Sequence, residues 1–361
     1  MELINYFKDF KEKIGFIELK DSYEGDLNKD IFYPIITDDL LEGINSGDFK
    51  NELDLYKIID GTILILNLDE GFKYNKEYEK FLKKLGGISE KYIFNKAIKL
   101  LKNNDDLNIL YFKYLSDRNL LGEYAKYNYA RGLYSMFQKH NDYNLYIEAY
   151  KILENLTSEY EDFPLSYYLL GLININESRH LKAKIYLEKA LNKTSDESSK
   201  NEIREILHQN EPKALIEKGV EYLQRANTDR AYIEFQKSKA LNPKGIVNYY
   251  LAYILDRTGE EDKAKPLYEK ALEDGLTNPE IYIDLANLYF KNKQISAALS
   301  VINKGLDKNI DDEQLLYNRM ILNLANNDKE KAKDDYDRLL EFIDINPVIL
   351  DNLLALKDNF K

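Results

Sequence analysis

The sequence predicts a mostly α-helical protein, a solenoid of antiparallel helix pairs that follows a small N-terminal domain of α+β or irregular structure. Two observations predict the helix pairs. Glycine and proline are sparse, at 16 and 7 of 361 residues, which is typical of long helices joined by short turns. In the last two-thirds of the chain an alanine recurs at intervals of 34, 48, 33, 34 and 34 residues. A nearly fixed period of this length indicates a repeat architecture.

The recurring alanine is one of several positions that repeat together. The alanines are Ala149, Ala183, Ala231, Ala264, Ala298 and Ala332. Four residues after each stands a large apolar or aromatic residue, namely Leu153, Leu187, Phe235, Tyr268, Ile302 and Tyr336. Twelve residues before each stand Phe137, Gly171, Gly219, Ala252, Ala286 and Met320, which are small in four of six cases. We expect the small residues to let two helices approach closely and the large residue to fill the gap to the next pair. Because one pair cannot bury its own apolar face, the pairs are predicted to stack.

The spacing of these positions resembles the tetratricopeptide repeat. The best match contains Leu215, Gly219, Tyr222, Ala231, Phe235 and Pro243. The same pattern returns in Leu251, Ala252, Ala264, Tyr268 and Ala271, and again in Tyr282, Leu285, Ala286, Tyr289 and Ala298. The resemblance covers about residues 130–361 and implies a superhelix whose first helices line a concave face. The sequence departs from the family in having no tryptophan and in placing Phe137 where glycine is expected.

Six segments are predicted along the chain. The interval of 48 residues holds 14 more than the usual 34, and Ser199 followed three residues later by Glu202 is typical of a helix start. Prolines near the repeat ends, such as Pro212, are expected to open new repeats. The segments are an α+β cap domain (1–87), a helical lead-in with degenerate repeats as the alternative (88–129), two repeats (130–197), one extra helix (198–211), four further repeats (212–346) and a capping helix (347–361).

The N-terminal segment does not follow the repeat. It is predicted to contain helices at Leu3–Ile14, Asp38–Ile44 and Lys50–Ile59 and a strand at Gly61–Leu68. The strand prediction depends on an apolar run with β-branched residues, bounded by a glycine and by Asp69. Asp69 and Glu70 follow this strand, where α/β enzymes often place a catalytic carboxylate, but the chemistry of a turn explains them equally well.

Composition excludes several classes of function. The net charge of −12 disfavours a nucleic-acid partner, because binding to phosphates usually needs a basic face. The chain has no cysteine, which rules out disulfides and cysteine zinc sites. Its apolar runs fall short of the ~20 residues that cross a bilayer, and the charged N-terminus does not resemble a secretory signal. We therefore expect a cytoplasmic protein without membrane insertion.

No catalytic, cofactor-binding or metal site is predicted. The three histidines, His140, His180 and His208, lie apart in the sequence, and none has a second histidine at metal-ligand spacing. Glu177 and Glu205 each precede a histidine by three residues, which gives too few ligands for a metal site. Gly-rich phosphate loops and nucleophile motifs are absent from the sequence. The chain is therefore predicted not to be an enzyme.

The resemblance implies a binding groove lined by two positions of each first helix, one turn apart. These are Tyr134 and Gln138, Tyr168 and Leu172, Ile216 and Val220, Tyr249 and Tyr253, Ile283 and Asn287, and Tyr317 and Ile321, with Phe290 and Leu324 a turn further on. A long apolar stripe of this kind typically marks an interaction site. Some family members bind an acidic C-terminus through Lys, Asn and Arg at these positions, but here only Asn287, with Lys291 beside it, matches.

The predicted ligand is therefore an apolar peptide or an amphipathic helix of a partner protein, and the predicted function is that of a scaffold or adaptor. A peptide-sensing regulator, whose N-terminal domain transmits the signal, is the alternative. The stripe could also be filled by the chain itself or by self-association.

Overall fold

The computed structural model describes residues 3–19, 27–46, 54–242 and 244–357. Within these ranges the protein is a mostly helical solenoid of paired helices with a small N-terminal two-stranded hairpin. The chain divides into two compact units. Unit 1 comprises Met1–Glu177 and Ile185–Arg204, and unit 2 comprises Ser178–Lys184 and Glu205–Lys361.

Unit 1 begins with a hairpin flanked by short helices. A 3-10 helix (Leu3–Tyr6) and α1 (Lys8–Glu12) precede strand β1 (Ile14–Ile17), which pairs antiparallel with β2 (Tyr33–Ile36). Helix α2 (Thr37–Ser46) follows and includes the predicted helix at residues 38–44. The single helix predicted at residues 3–14 is thus two short helices that end before the first strand.

Helix α3 (Leu55–Leu68) overturns the strand prediction for residues 61–68. The helix starts at Asp54, whose side chain accepts a hydrogen bond from the Tyr56 backbone N–H at 2.9 Å. It is buried from Ile58 to Ile65 on all sides, so its sequence carries no polar stripe of helical period. A continuous apolar run does not distinguish a buried strand from a buried helix. The helix predicted at residues 50–59 begins outside the described residues and from Leu55 onward is the start of α3.

The remaining helices of unit 1 pack around one core. This core contains buried residues from Leu3 to Ile173, so it continues on both sides of the predicted boundary at residue 87. The helices are α4 (Asn75–Leu85), α5 (Gly87–Lys102), α6 (Asn108–Asp117), α7 (Gly122–His140), α8 (Tyr143–Glu159) and α9 (Pro164–Asn176). Helix α10 (His180–Lys193) is divided between the two units.

Helix α11 (Glu197–Gln224) corrects the prediction of a separate extra helix at residues 198–211. It is one helix of 28 residues with Pro212 in its interior, and it too is divided between the units. A proline inside a helix removes a backbone hydrogen bond and costs about 3 kcal/mol. The two residues before the proline both make contacts with α10: Glu211 pairs with Lys184 at 2.7 Å, and the Asn210 amide donates to the His180 carbonyl at 2.8 Å.

Unit 2 continues as helix pairs, of which α13 with α14, α15 with α16 and α17 with α18 make extensive contacts. The helices are α12 (Thr228–Leu241), α13 (Ile246–Arg257), α14 (Glu261–Glu273), α15 (Pro279–Lys291), α16 (Ile295–Lys308), α17 (Glu313–Ala325), α18 (Lys329–Leu340) and α19 (Pro347–Leu356). Helix α19 lies in the predicted capping segment, whose last residues, 358–361, are outside the described range. Pro243, part of the repeat pattern, is also outside it.

The repeating positions are buried as the spacing predicts. All six anchor alanines have 0% exposure, and the large residues that follow them are exposed by 6% or less. Gly219 shows why the position twelve residues before the alanine is small. A Cβ atom there would lie 2.4 Å from the Phe235 ring, so only glycine allows this approach. The sequence prediction of a repeat is confirmed.

Candidate protein-binding surface

The predicted groove residues of unit 2 lie on the first helices of successive pairs, and we call them the groove stripe. Most are half-buried, whereas Asn287 and Phe290 are exposed, Phe290 by 40%. The stripe comprises Ile216 and Val220 on α11, Tyr249 and Tyr253 on α13, Ile283, Asn287 and Phe290 on α15, and Tyr317, Ile321 and Leu324 on α17. Its apolar members, apart from exposed Phe290, pack partly against the cores of unit 2 and leave the rest of their surface open.

Helix α15 shows how the sequence creates this surface. Its buried side consists of Ile281, Tyr282, Leu285, Ala286 and Leu288, which contact the repeat core. Ile283, Asn287 and Phe290 fall between these positions and recur three or four residues apart, so they share the other side of the helix. Because the 34-residue period keeps the same phase, neighbouring first helices present equivalent positions.

The groove positions predicted in unit 1 are less accessible. Tyr134 is buried, with 7% exposure, and its hydroxyl accepts a hydrogen bond from Asn176 at 3.1 Å. The Tyr168 hydroxyl donates to Glu202 in the part of α11 that belongs to this unit. Leu172 is half-buried and Gln138 is exposed. The structure therefore leaves an open apolar stripe mainly in unit 2.

A cluster of tyrosines forms the middle of the stripe. The ring of Tyr249 lies 6.3 Å from that of Tyr253 and 6.0 Å from that of Tyr268, which is fully buried beneath it. The Arg257 guanidinium lies over Tyr253, 4.6 Å from the ring centroid. Such aromatic side chains offer a large apolar contact area together with a polar tip.

Lys291, the lysine that follows Phe290 of the stripe, already forms ion pairs. Lys291 lies 2.7 Å from Asp256 and 3.9 Å from Glu261. A lysine with two carboxylates this close is a poor receptor for the terminal carboxylate of a ligand. That the surface is not a carboxylate clamp stays a prediction.

Sequence analysis missed an acidic residue of this surface, Asp284. Its carboxylate accepts a hydrogen bond from the Tyr249 hydroxyl at 3.1 Å. Burial raises the pKa of the Asp284 carboxyl, while the bond from Tyr249 and the charge of Arg257 act in the opposite direction. Nothing in the sequence around Asp284 indicates its role, because its hydrogen-bond partner Tyr249 belongs to another repeat, 35 residues away.

A pocket of about 300 Å³ opens beside this tyrosine, between α13 and α15. Its walls include Ile246, Tyr249 and Tyr250 from α13 and Glu280 and Ile281 from α15. Glu280 precedes Asp284 by one helical turn, so both carboxylates belong to the same side of α15. The pocket combines aromatic walls with an acidic edge.

Unit 1 holds a buried polar cluster that was also not predicted. Asp60 of α3, only 2% exposed, accepts hydrogen bonds from the hydroxyls of Tyr92 and Tyr111 at 2.8 and 2.9 Å. Lys96 completes the cluster at 2.8 Å. Burial and the charge of Asp60 raise the pKa of both tyrosines. The hydrogen bonds and the ion pair of this cluster join α3, α5 and α6.

Other polar groups singled out by the sequence are engaged within the fold. Asp69, considered as a catalytic carboxylate, pairs with Lys11 at 3.0 Å. His180 bonds Asn210 at 2.8 Å, and His140 packs against Tyr6. Over residues 3–19, 27–46, 54–242 and 244–357 the structure contains no group of three or more His, Asp or Glu residues that could hold a metal ion. In the same ranges no helix is long and apolar enough to cross a membrane.

Comparison with known proteins gives one family. Two sequence models described as "Tetratricopeptide repeat" match residues 165–192 and 257–317. A Drosophila melanogaster protein described as "BBSome complex member BBS4 homolog" is 25% identical over 192 residues, which is 50% of this chain and 36% of that protein. The chain thus spans about a third of the length of this curated relative.

Solved tetratricopeptide-repeat structures match the chain at low identity and low TM-score. A tetratricopeptide repeat protein from Parabacteroides merdae is 18% identical, with a TM-score of 0.37, and the match covers 76% of this chain and all of that one. YrrB, described as a tetratricopeptide-repeat protein with an unusual peptide-binding site, is 16% identical, with a TM-score of 0.37, and covers 57% of this chain and 97% of its own.

Proposed function

The chain is a tetratricopeptide-repeat protein, and from this premise we propose that it is a scaffold or adaptor that binds a peptide or an amphipathic helix of a partner protein along the groove stripe. Tetratricopeptide repeats mediate protein–protein interactions, which supports a protein as the ligand. The observation that carries the proposal is the continuous row of half-buried apolar and aromatic side chains on four successive first helices of unit 2.

The chemistry of the stripe favours an apolar ligand face. Apart from Asn287, its members are aliphatic or aromatic side chains. An amphipathic helix would supply apolar residues three or four positions apart, which is the spacing that a groove between helices accepts. Burial of apolar area would provide the affinity, at roughly 25 cal/mol per Å² removed from water before the costs of association.

A displayed library of random 16-residue peptides, selected against the full-length protein, tests the proposal. We expect enrichment of peptides with apolar residues at helical spacing. Their binding, measured by fluorescence anisotropy, should weaken at least about 10-fold in the double variant Tyr253→Ala, Phe290→Ala, because it removes two partly exposed rings from the middle of the stripe.

The matched control is Ile233→Ala. Ile233 is 51% exposed on α12, a second helix, and does not belong to the stripe. This variant should bind as the wild type does. A selection that enriches no peptide, or enriched peptides that bind the double variant as tightly as the wild type, would contradict the proposed function.

A further inference from the structure

Asp284 lacks a cationic partner although it is partly buried at the binding surface. Among the residues that the structure describes, no lysine or arginine nitrogen lies within 4 Å of its carboxylate, and the Tyr249 hydroxyl is its hydrogen-bond donor. Arg257 is near enough to favour the ionised form but lies over Tyr253 instead. A partly buried carboxylate with one neutral donor is under-satisfied, since it can accept several hydrogen bonds.

Glu280 adds a second uncompensated charge on the same side of α15. It is exposed at the edge of the 300 Å³ pocket, and within the described part of the chain no ion pair involves it. The nearest acidic residue on α13, Asp256, differs because Lys291 already neutralises it. Among the described residues, the surface between α13 and α15 therefore carries two carboxylates that form no ion pair.

Tyr268 gives an independent indication that this region is incomplete. Its side chain is fully buried, and its hydroxyl has no hydrogen-bond partner among the described residues. The hydroxyl lies close enough to Asp284 and Asp256 for their charges to raise its pKa, together with burial as the main cause. A buried hydroxyl without a hydrogen-bond partner is unfavourable, because it has lost its bonds to water and gained none in the fold.

Resting on the proposed function, we infer that the peptide bound along the groove stripe carries a basic side chain, lysine or arginine, that enters the pocket between α13 and α15 beside Glu280 and pairs with Asp284, which the Tyr249 hydroxyl links to the pocket wall. The two carboxylates supply the charge complement. Tyr249 and Tyr250 form the walls, and aromatic faces attract cations. The aliphatic stem of lysine or arginine suits the apolar residues Ile246 and Ile281 of the same pocket.

The test extends the library selection to two variants, each carried out in parallel with the wild type. Asp284→Asn removes the charge but keeps an oxygen that can accept the bond from Tyr249. Asp262→Asn is the matched control, because Asp262 is an exposed acidic residue on α14. We expect the wild-type and Asp262→Asn pools to combine apolar residues with one lysine or arginine at a fixed position. The Asp284→Asn pool should keep the apolar residues and lose the basic one.

A direct measurement follows with the most enriched peptide and a copy in which norleucine replaces the basic residue. The copy should bind the wild type about 10-fold more weakly, a difference that Asp284→Asn should abolish. Apolar pools without a basic preference, or a preference that survives in Asp284→Asn, would overturn this inference and leave the proposed function intact. A selection with no enrichment that depends on Tyr253 and Phe290 would overturn both.

Discussion

The front of unit 1, from the hairpin to α6, and the repeats of unit 2 both contain helices that closely approach a neighbour. The neighbouring atoms belong to the backbone in the front and to a side chain in the repeats. In α3, a Cβ atom on Gly61 would lie 2.3 Å from the Pro34 carbonyl oxygen and 2.8 Å from the Ile35 nitrogen, both backbone atoms of β2. In the repeat, the three atoms nearest to a Cβ atom on Gly219 would all belong to the ring of Phe235, at 2.4–2.8 Å. A backbone neighbour cannot change its rotamer, whereas a side chain can be replaced or shifted. The contact at Gly61 therefore tolerates only glycine, whereas the contact at Gly219 can be relieved by a change in the facing side chain.

The two regions also differ in how they use carboxylates. Asp60 in the front is buried within a cluster of two tyrosines and a lysine from other helices. Asp274 in unit 2 lies just after α14 and fixes the start of α13, by accepting hydrogen bonds from the Gly245 N–H at 2.9 Å and the Asn248 amide at 3.1 Å. The first joins three helices through their interior, and the second links the end of one helix to the start of its partner in the same pair.

Gly61→Ala should have the largest effect on stability. The added methyl group clashes with the backbone of β2, so we expect a loss of about 4 kcal/mol, after allowing for the roughly 1 kcal/mol that alanine gains over glycine in a helix. Urea denaturation and hydrogen exchange of peptides from α3 would measure it. Gly87→Ala is the control, since nothing lies within 4 Å of a Cβ atom there. Equal stability of the two variants would show that β2 does not pack on α3 in this way.

Asp60→Ala should come second. It leaves the buried hydroxyl of Tyr111 and the ammonium group of Lys96 without their partner, and breaking such a pair costs about 3 kcal/mol. Chemical denaturation at pH 7 is the measurement. Asp117→Ala, which breaks a surface pair with Lys113 on one helix, should change little. A small effect at both positions would mean that the buried cluster contributes no more than a surface pair.

Asp274→Ala should cost about 2 kcal/mol at pH 7, because two hydrogen bonds to a charged acceptor are lost. The Gly245 N–H, followed by Asn248 and Lys270, lowers the pKa of Asp274 below its ordinary value of 3.8. A lowered pKa stabilises the fold above the unfolded value, and this stabilisation is lost as the pH falls through the folded value. Thermal unfolding at pH 7 and at pH 2 should therefore show a difference between wild type and variant that shrinks in acid. A constant difference would contradict the assigned role of the charge.

Gly219→Ala should have the smallest effect on stability, and it tests most directly whether the close contact in the repeats involves a side chain and not the backbone. Crowding against Phe235 costs about 2 kcal/mol, and helix propensity returns about half of it. Phe235→Leu in the same chain should relieve the clash, so the two substitutions should be less destabilising together than their sum. No side-chain substitution near Gly61 should provide such a rescue, because its neighbours are backbone atoms. Additive effects of Gly219→Ala and Phe235→Leu would refute the close contact.

The contrast between the regions also explains what could be predicted from the sequence. In the repeats, a buried position such as Ala231 recurs in every unit, so its role can be inferred from several examples in one chain. Gly61 occurs once, and an apolar run around it fits a strand as well as a buried helix. Pro212 also occurs once in its setting and was misleading. Its local preference favours a helix start, but α11 continues through it, next to contacts that Asn210 and Glu211 make with α10.

The register of the repeat predicts which residues form the groove stripe. It does not predict the acidic residues beside the stripe, Asp284 and Glu280. Asp284 gains its significance from Tyr249 and Tyr268, which belong to the preceding repeat. Sequence distance conceals that relation, since equivalent positions in the other repeats do not carry an aspartate. The pocket beside Tyr249 likewise depends on how two helices meet.

The pairing of tyrosine hydroxyls with carboxylates sets an alkaline limit for this protein. Tyr129 donates to Glu148, Tyr249 to Asp284 and Tyr289 to Glu269, and in each case burial with the neighbouring acid raises the pKa of the phenol above its ordinary value of 10.0. The folded chain keeps these protons at a pH where an unfolded chain would release them. The stabilisation that these tyrosines contribute is therefore fully present below about pH 10 and declines above it, as ionisation draws the equilibrium toward the unfolded state. A chain with 30 tyrosines and no tryptophan would report that transition by its own phenolate absorbance.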